Sequence, residues 1–254
     1  MNIQDQSAIV TGGGSGLGAQ TARELSRRGA KVTVLDVNGG AAEAVAAEIG
    51  GLGIRCDITD TTSLEAALTA AESRHGAARI LMNIAGVGGA KRIVGKDGRA
   101  APLEDFRRVI EINLIGTYNV TRLVAARMVA LDPLTDGERG IIVNTASVAA
   151  FDGQVGQEAY AASKGGLVSM TLPLARDLAQ FGVRVVTIAP GLFMTPLMEQ
   201  LPQAVQDSLA ASIPFPKRLG RPEEFAHLAM SIVENASLNG EVIRLDGALR
   251  MAPR

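Results

Sequence analysis

The sequence has one cysteine, two histidines and almost no net charge, and each shortage removes a class of function. Cys56 is alone, so an intrachain disulfide and a cysteine-ligated zinc site are excluded. With only His75 and His227 present, histidine-based acid–base or metal chemistry is not expected. The 25 basic and 26 acidic residues leave a net charge of −1, which gives no general support for binding nucleic acid or an anionic membrane.

Long apolar runs are also missing. No uninterrupted stretch approaches the ~20 residues that a membrane-spanning helix needs. Residues 1–7 are polar and lack the basic and apolar regions of a secretory signal. These features predict a cytoplasmic protein.

What the sequence does contain is an alternation of short β-rich runs with longer helical patterns. Some runs are almost wholly apolar, which is typical of strands that helices cover on both faces. The alternation predicts an α/β fold, a doubly wound parallel sheet of seven strands, in a single domain of residues 1–254. The predicted strands are residues 8–10, 31–35, 54–56, 80–83, 140–144, 183–189 and 242–245.

Two connections are longer than usual, at residues 86–102 and 191–216. Both follow predicted strands, and doubly wound sheets bind ligands at the carboxyl ends of their strands. The second, with a short helix predicted near 204–211, is either a segment that closes over substrate or an ordered surface insertion. A single long helix is predicted at 103–129 and another at 159–180.

A glycine-rich turn, Thr11-Gly-Gly-Gly-Ser-Gly-Leu-Gly18, directly follows the first strand and opens a helix. Glycines at 12, 16 and 18 allow a tight turn and the close approach of a pyrophosphate to the free amides of the helix N-terminus. Asp36 ends the second strand, where a carboxylate accepts hydrogen bonds from ribose hydroxyls and repels a 2′-phosphate. The pattern predicts a dinucleotide site that prefers NAD over NADP.

Tyr160 and Lys164 are four residues apart on a predicted helix and therefore project from one face. A phenol titrates near pH ~10, and an adjacent ammonium lowers that pKa, so the pair could form a general base. Ser147, upstream of both, could donate a hydrogen bond to a substrate oxygen.

Together these residues resemble the short-chain dehydrogenase/reductase family along essentially the whole chain. The resemblance implies a catalytic set of Asn113, Ser147, Tyr160 and Lys164, with Asn113 holding a water that relays the proton. Ile84 departs from the family's usual second asparagine in Asn83-Ile84-Ala85-Gly86. The predicted cofactor-binding residues are Gly12, Ser15, Gly16, Leu17, Gly18, Asp36, Asp57, Ile58, Asn83, Ile84, Ala85, Gly86, Tyr160, Lys164, Pro190, Gly191, Phe193 and Thr195.

Longer stretches, including residues 144–157 and 239–248, are similar to the type-2 3-hydroxyacyl-CoA dehydrogenase subgroup of that family. The resemblance implies reversible, NAD-dependent oxidation of short-chain (S)-3-hydroxyacyl-CoA, including 2-methyl-branched esters, in fatty-acid or branched-chain amino-acid degradation. It also implies a homotetramer. The predicted substrate contacts are Ser147, Tyr160, Gln154 and Leu192. No metal site is predicted.

Three points stay open at this stage. Cations of the 86–102 loop either meet the phosphates of coenzyme A or belong to a solvated loop; they are Lys91, Arg92, Lys96 and Arg99. An apolar stripe fits either a hydroxysteroid or simple packing of the 191–216 segment; it comprises Leu192, Phe193, Met194, Leu197, Met198 and Leu201. An NAD-binding scaffold without enzymatic turnover is the third alternative, against which the intact catalytic set argues.

Overall fold

The computed structural model describes residues 1–253, with only the backbone at Leu197. Arg254, at the end of the predicted domain, and the Leu197 side chain, in the predicted stripe, lie outside this description. The strands are β1 Ser7–Thr11, β2 Lys31–Asp36, β3 Leu52–Arg55, β4 Ile80–Asn83, β5 Gly140–Thr145, β6 Val183–Pro190 and β7 Val242–Leu245. The α-helices are α1 Gly16–Arg27, α2 Gly39–Ile49, α3 Thr61–His75, α4 Leu103–Ile110, α5 Thr117–Val129, α6 Glu158–Ala179, α7 Pro196–Glu199, α8 Gln203–Ala211 and α9 Pro222–Glu234.

The strands form one parallel sheet in the order β3-β2-β1-β4-β5-β6-β7, counted over residues 1–253. This confirms the predicted doubly wound fold of seven strands. The order reverses between β1 and β4, which pair directly. Chains leaving these two strands turn to opposite faces of the sheet, so a crevice opens at their carboxyl ends.

Both faces of the sheet are buried, and neighbouring residues of each central strand point to opposite cores. Ile9, Leu81 and Ile142 pack into a cluster with α3, α5 and α6. The residues that follow them, Val10, Met82 and Val143, pack into a second cluster with α1 and α9. Each fully buried aliphatic side chain contributes about 1.5–3 kcal/mol, so these two cores hold the strand ends of the crevice in place.

The helix predicted at 103–129 is confirmed in its bounds, but it is not α-helical throughout. A π-helix at Glu111–Gly116 separates α4 from α5. Gly116 lies so close to Ile58 that an added Cβ would be 2.8 Å from Ile58 Cγ1. The Thr117 hydroxyl donates to Asn113 O at 2.8 Å and satisfies a carbonyl within the altered turn. Single π turns of this kind are frequent at functional sites.

The third strand begins and ends earlier than predicted, at Leu52–Arg55 rather than 54–56. Gly53 weakens the strand signal in the sequence but is required by packing, because a Cβ there would lie 2.6 Å from Ala42 O. The short helix expected near 204–211 is confirmed as α8. No helix within residues 1–253 is both long and apolar enough to cross a membrane.

Candidate active site

A cleft of about 920 Å³ lies at the carboxyl ends of the central strands. It brings together the glycine turn after β1, the end of β2, the segments after β3, β4, β5 and β6, and the start of α6. Most of the predicted site residues line it: Gly12, Ser15, Gly16, Leu17, Gly18, Asp36, Asp57, Ile58, Ile84, Ala85, Gly86, Ser147, Tyr160, Lys164, Pro190, Gly191, Leu192, Phe193 and Thr195.

The glycine turn forms one wall of the cleft and fits a phosphate. Gly12 has φ +64°, and a Cβ there would lie 2.6 Å from Ala85 Cα, so only glycine fits. Ser15 precedes α1 without a side-chain capping hydrogen bond, and the first turn of α1 has no acidic residue. The first amides of α1 are therefore available to an anion, which the positive end of the helix dipole also attracts.

Asp36 is held at the end of β2 by the backbone. Its Oδ2 accepts a hydrogen bond from Gly14 N at 3.0 Å, and its Oδ1 accepts one from Asn38 N at 2.9 Å. These bonds fix the carboxylate at the rim of the cleft and leave further lone pairs for ligand hydroxyls. Arg55, which pairs in register with Asp36, donates to Val37 O at 3.3 Å. This nearby cation was missed in the sequence because it belongs to the neighbouring strand.

Tyr160 and Lys164 lie in the first two turns of α6, as their spacing predicts. The Lys164 side chain is buried, and its Nζ donates to Thr145 O at 2.7 Å. Nζ lies 5.8 Å from the centroid of the Tyr160 ring. A buried ammonium thus lies beside a phenol at the bottom of the cleft.

The charges of this pair are set mainly by burial. Burial lowers the pKa of Lys164 to about 8. Burial also raises the pKa of Tyr160, and the adjacent Ser147 hydroxyl opposes that rise. The pKa of the Tyr160 phenol is therefore raised overall, whereas the sequence predicted a lowered one, because desolvation of the phenolate outweighs the favourable interactions around it.

Ser147 faces the same part of the cleft. It follows β5 in extended conformation and caps a short 3₁₀ turn, with its Oγ accepting from Ala149 N at 3.1 Å. That bond uses an oxygen lone pair and leaves the hydroxyl proton free to be donated. Ser147 lines the cleft and can therefore donate a hydrogen bond to a group bound there.

Asn113 is not among the residues that line the cleft, and its water-holding role stays a prediction. It is fully buried, and its Oδ1 accepts from Val87 N at 2.7 Å. Its Nδ2 donates to Val87 O at 2.9 Å and to Ser163 Oγ at 3.1 Å. Both Nδ2 protons are used and Oδ1 accepts one hydrogen bond, so the side-chain amide fixes the cleft-lining Val87.

Asn83 and Gln154 are also placed elsewhere than predicted. Asn83 Nδ2 donates to Thr121 Oγ1 and Asn144 Oδ1 in the interior, joining the ends of β4 and β5. Gln154 Nε2 donates to Ala252 O, away from the lining of the cleft. Neither residue is among those that line the cleft, because sequence position alone does not give the direction of a side chain at a strand end or in a loop; their ligand contacts stay predictions.

Several lining residues were not predicted. Thr145 and Ala146 adjoin Ser147 in the chain, so adjacency to a predicted residue could have found them. Arg108, Glu111 and Ile112 come from α4 and the π-helix, where only tertiary packing decides which face meets the cleft. The remaining unpredicted lining residues are Leu35, Val37, Cys56, Thr59, Val87, Gly88, Pro196 and Met198.

Comparison with known proteins adds independent information. Residues 6–206 match the family model described as short chain dehydrogenase. The chain is 54% identical over 255 residues to the 3-hydroxyacyl-CoA dehydrogenase type-2 of Rattus norvegicus, covering 99% of this chain and 98% of that protein. The crystal structure of 3-hydroxyacyl-CoA dehydrogenase type-2 from Mycobacterium avium superposes with a TM-score of 0.93 at 45% identity, covering 98% of this chain and 97% of the other.

A second solved structure is similar and carries a bound cofactor. It is the 3-ketoacyl-(acyl-carrier-protein) reductase of Brucella melitensis, which was crystallised with NADH. The TM-score is 0.87 at 31% identity, and the alignment covers 98% of this chain and all of that one. The similarity therefore extends over the sheet and over both ends of the cleft.

Proposed function

The chain belongs to the short-chain dehydrogenase family, and from that premise we propose that it oxidises short-chain (S)-3-hydroxyacyl-CoA, including 2-methyl-branched esters, reversibly to 3-ketoacyl-CoA. The observation that carries the proposal is the convergence of Ser147, Tyr160 and Lys164 at one end of a cleft whose other end is a glycine turn. The substrate class is taken from the full-length similarity to the type-2 enzymes. Such a reaction serves fatty-acid or branched-chain amino-acid degradation.

NAD(H) is the cofactor, and the residues present fit it. The turn at Gly12–Gly18 cannot accept larger residues at its close contacts, and the free amides of α1 suit a pyrophosphate. Asp36 is fixed where it would accept hydrogen bonds from the adenosine ribose. Held there, NAD would supply the acceptor for the hydride of the carbinol carbon.

The protein side chains handle the proton and the orientation of the substrate. The phenol oxygen of Tyr160 takes the proton of the alcohol when the ketone forms, and returns one in the reverse direction. The Ser147 hydroxyl donates to the substrate oxygen and holds it beside Tyr160. The Lys164 ammonium, bound to Thr145 O, supplies the positive charge that favours the phenolate. Asn113 holds Val87 in place and acts on the cleft indirectly.

Discrimination between NAD and NADP depends on Asp36. We expect Asp36→Ala to lower the ratio of kcat/KM for NAD to that for NADP by about tenfold or more, because the carboxylate no longer binds ribose hydroxyls or repels a 2′-phosphate. Arg55, the register partner of Asp36 in β3, would then be the nearby cation without an opposing carboxylate at position 36. Initial rates with each cofactor test this, with Asp57→Ala as the control. An unchanged ratio in Asp36→Ala would contradict the assigned role.

The basic loop lies at the rim of the substrate end. Lys91 N donates to Gly156 O at 2.7 Å, so the loop packs on the segment that leads into α6. Lys91 itself pairs with Asp105, and Arg99 lies 3.8 Å from Asp97. Within residues 1–253, Arg92 and Lys96 form no ion pair and are exposed, so they are the better candidates for coenzyme A phosphates.

Charge reversal at Arg92 and Lys96 tests that role. We expect Arg92→Glu/Lys96→Glu to raise the KM for 3-hydroxybutyryl-CoA about five- to tenfold, through loss of one or two exposed phosphate contacts. The matched substrate is the N-acetylcysteamine thioester, which lacks those phosphates and should keep its KM. Equal changes of KM for both esters, or no change for either, would show that Arg92 and Lys96 do not contact the phosphates of coenzyme A.

The apolar stripe of the 191–216 segment is largely used for packing. Leu192, Met194 and Met198 pack around Ile213, Leu219 and Leu249. Phe193 stacks edge-on against Phe225, with the ring centroids 6.4 Å apart. Leu192, Phe193 and Met198 also line the cleft, but their packing contacts leave less apolar surface for a hydroxysteroid and so favour the thioester.

An NADH absorbance assay compares the substrate classes directly. We expect the highest kcat/KM with 3-hydroxybutyryl-CoA or its 2-methyl derivative, and a value at least about tenfold lower with a 17β-hydroxysteroid. A higher value for the steroid would reassign the substrate. Absence of NADH formation with all three would refute the proposed function.

The proposal also covers the oligomeric state and the cellular location of the protein. Exposed apolar side chains lie along α4, the π-helix and the start of α5, at Leu103, Phe106, Ile115 and Tyr118. A surface of this kind supports the homotetramer that the family resemblance implies. A cytoplasmic location is proposed from the sequence. Light scattering on the purified protein measures the tetramer, and a monomeric mass would contradict it.

A further inference from the structure

Arg244, on β7, joins three segments next to the cleft without lining it. Its Nη2 donates to Asp152 Oδ2 at 2.6 Å and to Leu249 O at 2.9 Å. Its Nε donates to Asp246 Oδ2 at 2.7 Å, and its Cζ lies 5.1 Å from the centroid of the Phe151 ring. The Arg244 side chain is 19% exposed, so these interactions are largely shielded from solvent.

On one side, Arg244 controls the segment between the proposed catalytic serine and tyrosine. Asp152 N donates to Val148 O, which ties Asp152 to the 3₁₀ turn that Ser147 caps. The tail reinforces the same segment, because Val155 N donates to Pro253 O and Gln154 Nε2 donates to Ala252 O. Movement of Asp152 would therefore displace the Ser147 hydroxyl.

On the other side, Arg244 holds Asp246 against the turn after β6. A Cβ at Gly191 would lie 2.8 Å from Asp246 Cβ, and Gly191 N donates to Leu245 O at 2.9 Å. Pro190 and Gly191 line the cleft, as Ser147 and Tyr160 do. The guanidinium thus spans the two walls between which hydride and proton would be transferred.

The positive charge of the Arg244 guanidinium holds two carboxylates together. It lies between the carboxylates of Asp152 and Asp246, and its hydrogen bond holds the pKa of Asp152 below the usual range. Without it, two like charges would remain close together, and among residues 1–253 Arg250, 3.3 Å from Asp246, is the cation left to offset them. Repulsion would move the Ser147 segment away from the Gly191 turn.

We propose that Arg244 is a positioning residue that sets the distance between the Ser147 segment and the Pro190–Gly191 turn. Its contribution is to turnover and not to cofactor affinity, because the glycine turn and Asp36 lie at the far end of the cleft. The expected effect on kcat rests on the proposed function. The Arg244 clamp, by which we mean the hydrogen bonds of its guanidinium to Asp152, Asp246 and Leu249 O, does not depend on any ligand.

The test compares Arg244→Met with Arg28→Met. Arg28 is a matched control because its side chain is 21% exposed and pairs with two carboxylates, Glu24 and Glu234, remote from the cleft. We expect Arg244→Met to lower kcat about 10- to 100-fold per folded enzyme, a range typical of displacements near 1 Å, with the Kd for NADH unchanged within about twofold. Arg244→Lys should recover part of the loss. Arg28→Met should lower stability while keeping kcat.

Hydrogen–deuterium exchange separates the clamp from the activity. Exchange at residues 148–157 should accelerate in Arg244→Met and not in Arg28→Met. Unchanged exchange in that segment, or faster exchange with an unchanged kcat, would overturn the proposal. If Arg244→Met does not fold, Asp152→Asn must show the same loss of kcat, and its absence would equally overturn it. A wild-type enzyme inactive on hydroxyacyl-CoA would refute the proposed function, while exchange would still report on the clamp.

Discussion

Replacement of Tyr160 with phenylalanine is expected to reduce kcat for 3-hydroxybutyryl-CoA by about 10³-fold while NADH binding is retained. The substitution removes only the hydroxyl that exchanges a proton with the substrate oxygen, and general acid–base catalysis contributes ~10²–10⁴-fold. The ring, the Lys164 ammonium and the glycine turn stay in place. Steady-state rates give kcat, and the fluorescence of NADH gives its Kd.

The chain provides a matched control for this experiment in its only other tyrosine. Tyr118 lies on α5, is exposed and does not line the cleft. Tyr118→Phe loses the same atom and should retain wild-type kcat. If Tyr160→Phe turned over at a near wild-type rate, Tyr160 would not be the acid–base group.

Replacement of Lys164 with methionine is expected to reduce turnover and yet stabilise the protein. The ammonium that favours the Tyr160 phenolate would be lost, so kcat should fall by about 10²-fold or more. Burial holds the pKa of Lys164 at about 8, against 10.5 in an unfolded chain, which costs roughly 3 kcal/mol of folding free energy below pH 8. Loss of the hydrogen bond to Thr145 O costs about 1 kcal/mol of stability, so we expect the free energy of unfolding of Lys164→Met to rise by about 2 kcal/mol.

The stability difference between wild type and Lys164→Met should change with pH in a defined direction. Between pH 8 and 10.5 the unfolded chain binds the Lys164 proton more tightly than the folded protein, so wild-type stability rises relative to Lys164→Met as pH rises through that window. The stability difference should be largest below pH 8 and fade toward pH 10.5. Denaturant unfolding of the cofactor-free protein measures it, with the exposed Lys31→Met as the control. A destabilised Lys164→Met below pH 8 would contradict the buried-charge argument.

Sequence patterns predicted those parts of the molecule whose structure is local. Strands β4 and β7 were predicted to the residue, because apolar runs between polar turns define them without reference to the rest of the chain. The glycine turn and Asp36 were recognisable because strand, turn, helix and acid occur at fixed distances. Tyr160 and Lys164 share a face because α6 is regular over that interval.

Features that depend on packing could not be predicted in this way. The π-helix reflects the contact of Gly116 with Ile58, which is distant in sequence. Asn113 turned inward because Val87 and Ser163 offered partners for its amide. The clamp at Arg244 needs three segments that meet only in the folded chain. In each case the residue type was visible in the sequence, but its neighbours were not.

The central claim is that this cleft transfers a hydride from a 3-hydroxyacyl carbon to NAD while Tyr160 takes the hydroxyl proton. The most direct test uses (S)-3-hydroxybutyryl-CoA carrying deuterium at the carbinol carbon, with mass spectrometry of the reduced cofactor after a single turnover. With wild-type enzyme, the predicted result is reduced cofactor that carries one deuterium. With Tyr160→Phe, no reduced cofactor should form over the same interval. Unlabelled reduced cofactor, or deuterium released to water, would contradict the account.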